Sequence, residues 1–196
     1  MKLRSGIFFA GVSLVAMVMA GITASNANDS VAKAVSDPNG WAIAGHDYGN
    51  TRFSPLKQIN SENAGKLQLV YSLSLASLRS NESSPVVIGK NLYVSTSWGP
   101  KYVYAIDAAT GARKWTWQPD IPDDVLQYAC CDVNNRGVSY ADGKIFVGRL
   151  DGKLTALDAE TGKELWKTRN GDPAKGETST MAPMIFGDKV LVGISG

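Results

Sequence analysis

Internal repetition constrains this chain more than any other feature. The stretch "VVIGKNLYVSTSWGPKYVYAIDAATGARKWTW" lines up with "SYADGKIFVGRLDGKLTALDAETGKELWKT", and a third copy opens as "MIFGDKVLVGISG". Asp107 and Asp158, Gly111 and Gly162, and Trp115 and Trp166 are matched pairs 51 residues apart. A period near 50 points to propeller blades rather than a single sandwich.

Each copy carries the same local physics. Leu92-Tyr93-Val94 and Ile145-Phe146-Val147 are β-branched or aromatic runs that predict strands, and Gly89-Lys90-Asn91 and Asp142-Gly143-Lys144 predict tight turns. A second strand follows at Val103 to Ile106 or Leu154 to Leu157, then the turn Asp-Ala-x-Thr-Gly, then a third strand with Trp115 or Trp166. The expected unit is a small antiparallel sheet. Three or four short strands cannot bury both faces alone, so copies should stack around an axis, with the tryptophans docked between blades as packing residues.

The N-terminus bears on compartment. Lys2 and Arg4 precede the apolar run "GIFFAGVSLVAMVMAGI", and "ASNAND" supplies small residues before a cut. Residues 1–27 therefore read as a cleavable export signal, the mature chain starting near Asn28. That run is marginal for a membrane span of about 20 residues. The leader takes two basic residues and no acidic one, so the formal net charge of +2 becomes neutral. With no basic run, neither nucleic acid nor a membrane surface is indicated as a partner. Export implies an oxidising space, which makes the neighbouring Cys130 and Cys131 compatible with a bridge; two reduced, buried thiols are the other reading.

The repeat from Ala105 to Trp115, and again from Ala156 to Trp166, resembles the tryptophan-docking motif of quinoprotein alcohol dehydrogenases. These are periplasmic enzymes that use pyrroloquinoline quinone, PQQ. "GHDYGNTRFSPLKQIN", "CCDVNNRG" and "GDPAKGETSTMAP" followed by "KVLVGISG" extend the resemblance over almost all of residues 28–196. It implies an all-β fold, an eight-bladed propeller of which this sequence supplies the first blades. An array of this length leaves strand edges unpaired and is expected to be inactive by itself.

Site residues follow from the same resemblance. It implies a Cys130–Cys131 disulfide as a rigid platform against the planar quinone. Adjacent Cα atoms lie about 3.8 Å apart, below the usual disulfide range of about 4.4 to 6.8 Å, so such a ring is strained. Arg136 is implied at the cofactor, where its planar fork suits a carboxylate or quinone oxygen. Thr180 and Ser195 match positions that bond the cofactor's carboxylates, Gly196 one that approaches through its backbone, and Glu82 an acidic residue at the quinone edge. Without the resemblance, Arg136 and Glu82 read as solvated charges and the small residues as parts of strands or turns.

A calcium or lanthanide ion is implied as Lewis acid, with its ligands and the general base expected beyond Gly196, so no metal ligand and no catalytic base is assigned within this sequence. His46 reads as a packing or loop residue. Asn134 stands where the family usually has a branched apolar residue, and its amide either adds a donor to the cofactor edge or reaches solvent. The resemblance implies oxidation of a primary alcohol, with electrons passing to a cytochrome c. A small second subunit or a homo-oligomer stays open. The competing reading is a non-catalytic propeller that serves as an envelope scaffold or assembly factor, which would share the repeats and the export signal.

Overall fold

In the computed structural model, which describes residues 28–96, 102–129 and 132–195, the repeats fold as two four-stranded antiparallel sheets and the opening hairpin of a third. The residues read as an export signal, the Cys130–Cys131 pair and Gly196 lie outside the described residues. The first sheet contains β1 (Val86–Ile88), β2 (Asn91–Ser95), β3 (Val103–Asp107) and β4 (Arg113–Trp117) in sequential order. The second contains β5 (Val138–Ala141), β6 (Lys144–Gly148), β7 (Lys153–Asp158) and β8 (Glu164–Arg169) in the same order. The hairpin pairs β9 (Met184–Phe186) with β10 (Lys189–Leu191).

The turn chemistry explains the register. Ile88 pairs with Asn91, so Gly89 and Lys90 form a two-residue loop; Asp142 and Gly143 do the same between β5 and β6. Both Asp142 (φ 49°) and Gly143 (φ 70°) are left-handed, the geometry that matches strand twist in such hairpins. The Asp-Ala-x-Thr-Gly turn closes identically in both blades. Asp107 Oδ1 accepts from the backbone N–H groups of Ala109 (3.1 Å) and Thr110 (2.9 Å) and from the Thr110 hydroxyl (2.9 Å). Asp158 Oδ1 accepts the equivalent bonds from Glu160 (3.1 Å) and Thr161 (2.8 Å for each). These bonds favour the ionised form and hold both carboxyls below their ordinary value, the threonine hydroxyl being the largest contributor.

Each sheet buries both faces. Tyr93, Val103 and Ala105 pack with Val138, Ile145, Val147 and Leu157 in a core between the blades. Val94, Tyr104 and Ile106 point the other way, onto Leu73 and Leu75. The far face of the second blade packs Phe146, Leu154 and Ala156 against Val31, Ile185, Val190 and Val192. Central strands consequently read as continuous apolar runs rather than as alternating ones.

The tryptophans differ. Trp115 docks as expected: its Nε1 donates to the Ala159 carbonyl at 2.9 Å, and its ring lies where a Cβ on Gly162 would stand. Trp166 is 40% exposed and rests on Phe146 of its own blade, with ring centroids 5.8 Å apart. On the other side of blade one, Tyr71 makes the contact that a tryptophan makes elsewhere. Its hydroxyl donates to the Ala108 carbonyl at 2.9 Å, and its ring covers Gly111.

Helix α1 (Asp29–Val35) was not anticipated. Asn28 caps it by accepting from Ser30 and Val31 backbone N–H groups, and its own amide reaches Asp142 Oδ2 (3.1 Å) and the Gly187 carbonyl (3.2 Å). The helix is thereby pinned across the hairpin turns of two sheets. His46 sits in a loop edge-on to Trp41, ring centroids 4.7 Å apart, in line with the packing role. Among the described residues no helix is long and apolar enough to cross a membrane.

Candidate cofactor site at the blade entrances

The segments that lead into β1, β5 and β9 run side by side. Ser84 N–H donates to the Arg136 carbonyl (3.2 Å), and Arg136 N–H donates to the Thr180 carbonyl (3.0 Å). Ser84 and Gly137 form a parallel bridge, and Gly137 must be glycine: its φ is 127°, and a Cβ would come within 2.9 Å of the Ser84 carbonyl. Three blade entrances are thus laced together by backbone.

That lacing brings predicted site residues into contact. Arg136 Nη2 lies 3.0 Å from Glu82 Oε2, and Nη1 donates to Thr180 Oγ1 at 2.8 Å. Both charged side chains are about half exposed, so neither is a freely solvated surface charge nor a core residue. Ser195 is not in direct contact with this trio. It is tied to Thr178 by reciprocal backbone bonds of 2.9 and 3.0 Å, with the two hydroxyls 3.1 Å apart, and reaches the cluster through the Thr178–Thr180 backbone.

Of the two fates open to the Asn134 amide, a donor at the pocket edge or a solvated group, the structure removes the second. Asn134 is 6% exposed rather than solvated, and its Nδ2 donates to Glu82 Oε1 at 3.3 Å. Asn135 was missed altogether. Fully buried, it accepts from Ser95 Oγ (2.6 Å) and Gly137 N–H (2.9 Å) and donates to the Gly148 carbonyl (2.9 Å) and Tyr102 Oη (3.4 Å). It bolts blade one to blade two behind the Glu82–Arg136 pair. Two consecutive amides between Val133, itself buried, and a strand were the available signal, since a buried amide is kept only where its bonds are met.

Arg79 and Asp132 form a second ion pair, with Arg79 Nε 3.1 Å from Asp132 Oδ1. Arg79 holds the Asp132 carboxyl below its ordinary value. Asp132, the residue after Cys131, has a left-handed φ of 61°, a conformation that aspartate tolerates better than most side chains. Deeper in blade two, Arg149 and Asp151 form a buried pair at 2.8 Å. Arg149 also donates to the Asp120 carbonyl at 2.7 Å, which ties down the segment ahead of the 3₁₀ turn Asp123–Gln127.

Stacked four-stranded antiparallel sheets, with a polar cluster where the first strands of successive blades begin, are the architecture of a propeller. The family model for the PQQ-type glucose/ethanol/alcohol dehydrogenase β-propeller domain matches residues 41–195. The lanthanide-dependent methanol dehydrogenase of Methylacidiphilum fumariolicum (strain SolV) is 45% identical over 181 residues, which cover 91% of this chain and 30% of that protein. The 1-butanol dehydrogenase (cytochrome c) of Thauera butanivorans is 45% identical over 158 residues, 80% of this chain and 22% of that one. A solved europium-containing methanol dehydrogenase superposes with a TM-score of 0.81 at 47% identity, over 86% of this chain and 30% of that one. The chain belongs to the PQQ-type dehydrogenase β-propeller family. It spans less than a third of the length of these relatives.

Proposed function

We propose that this chain supplies blades of a PQQ-dependent dehydrogenase that oxidises a primary alcohol in the periplasm and passes electrons to a cytochrome c. The observation that carries the reading is the convergence of Glu82, Arg136 and Thr180 where successive blades begin. Support for the electron acceptor is the Thauera butanivorans relative, whose name specifies cytochrome c. Export rests on the character of residues 1–27.

The donor set fits the cofactor. PQQ carries three carboxylates, and a guanidinium and a hydroxyl 2.8 Å apart are donors of the kind carboxylates take in pairs. When bound, the quinone supplies the redox chemistry, while the protein contributes binding and orientation. Arg136 would hold a carboxylate or quinone oxygen through its fork, with its direction fixed by Glu82 on one nitrogen and Thr180 on the other. Thr180 and Ser195 would bind carboxylates, Gly196 would approach through its backbone, and Glu82 would lie at the quinone edge. A bridged Cys130–Cys131 would be the surface on which the ring rests. Calcium or a lanthanide belongs to the proposal as the hard cation. Among the described residues no three His, Cys, Asp or Glu side chains converge on one point, and none is assigned to it.

The test is reconstitution. Protein expressed from the full reading frame, mixed with PQQ and either calcium or a lanthanide, should reduce a dye in an alcohol-dependent manner. No reduction with any of these ions rules the reading out.

A further inference from the structure

Glu82, Asn134 and Thr180 stand at the same distance ahead of Val86, Val138 and Met184, the residues that open β1, β5 and β9. They are equivalent positions on successive blades, and Asn134 is the middle one. Its side chain is buried, and its amide meets Glu82 Oε1 at 3.3 Å while Arg136 meets Oε2 at 3.0 Å. The segment Asn134–Arg136 therefore gives each carboxylate oxygen its own donor.

A half-exposed ion pair is loosely held by itself, because two long side chains must give up rotamer freedom and water competes for both. A buried amide on a short side chain has far less freedom to lose. From this geometry we propose that Asn134 is a positioning residue of the quinone pocket, holding Glu82 Oε1 so that the Glu82–Arg136 pair is set before ligand arrives. The inference rests on the reading that this pocket takes PQQ. An apolar residue at this position would leave Oε1 to water, and a carboxylate would face it with like charge.

The chemistry gives a test that bulk packing does not mimic. PQQ-free protein from the full reading frame is titrated with PQQ, followed by quenching of tryptophan fluorescence, between about pH 5 and about pH 8. Wild type is compared with N134L, N134D and N134D/E82Q, each checked for the native near-ultraviolet circular dichroism. N134L should bind about tenfold more weakly throughout the range, the value of one hydrogen bond to a charged group. N134D, nearly isosteric, should bind close to wild type at the acid end, where the introduced carboxyl is protonated and donates. At the alkaline end it should lose about tenfold or more. E82Q removes the opposing charge, so the double variant should lose that pH dependence even though its affinity is lower.

Should N134L fail to fold, the isosteric N134D carries the test. Wild-type affinity for N134D at every pH, in a protein whose wild type binds PQQ, overturns the inference and leaves the proposed function standing. If the wild type takes up no PQQ, the functional reading falls and the inference falls with it.

Discussion

The indole of Trp115 lies flat against the backbone of Gly162, so close that a Cβ there would stand 2.6 Å from two ring atoms, and its Nε1 donates to the Ala159 carbonyl at 2.9 Å. One residue thus couples the outer strand of the first blade to a turn of the second. Gly162 also has a φ of 72°. G162A should therefore suffer twice: about 1 kcal/mol from left-handed backbone and about 2 kcal/mol from displacing the ring. Gly89 separates these effects, having a φ of 57° and open space around it. G89A should cost only about 1 kcal/mol. Thermal unfolding of the two variants checks this, and equal losses would mean that the ring contact contributes nothing.

Asn135 joins four partners from two blades in the buried interior, so its amide is irreplaceable by size alone. N135L fills the space but strands the Gly148 carbonyl and the Gly137 N–H, and should lower stability by about 2 to 4 kcal/mol in denaturant unfolding. N135D keeps the acceptor side for Ser95 and Gly137, loses the two donors and buries a carboxyl. Its destabilisation should grow as pH rises from about 5 to about 8, as that carboxyl is forced to ionise. A pH-independent loss would show that the site is wetter than its burial indicates.

Alkaline stability should depend on three buried phenols, Tyr93, Tyr102 and Tyr104, each raised by its burial. Burial pushes both Tyr102 and Tyr93 up to about 12 from 10.0, although each accepts a hydrogen bond that opposes the shift. A group with a raised folded pKa contributes stability below its unfolded pKa and loses it as pH climbs toward the folded one. Stability should hold up to about pH 10 and fall between there and about pH 12. Y102F removes one of these phenols and should flatten this decline in urea midpoints measured across the window. At the acid end Asp107 and Asp158, held low by their threonines, should add stability that disappears as pH falls below about 4.

The parts legible in the sequence are those whose cause is local. Asp107, Thr110 and Gly111 make their turn among themselves, and the second copy at Asp158 repeats it bond for bond, so periodicity alone predicted the sheets and the dock for Trp115. Inner strands β1 and β5 were not separated in advance, being short and continuous with the loops before them. Tyr71 escaped because it does a tryptophan's work from a segment that joins none of the sheets among the described residues, visible only once its ring is on Gly111. Resemblance named Glu82, Arg136 and Thr180, but their contact depends on Gly137 and the backbone bonds between blades, which no single repeat encodes.

Arg136 separates binding from folding. Its pair with Glu82 is half exposed and worth at most about 1 kcal/mol, and the backbone bond from Arg136 N–H to Thr180 survives any side-chain change. R136K keeps the charge but not the planar fork that meets Glu82 and Thr180 together. It should unfold within about 1 kcal/mol of wild type yet bind PQQ about tenfold more weakly, and R136A should bind more weakly still. Parallel urea melts and PQQ titrations read the two effects apart. Should R136K lose stability and keep affinity, the guanidinium would be a strut between blades, and the cofactor's carboxylates would need another partner.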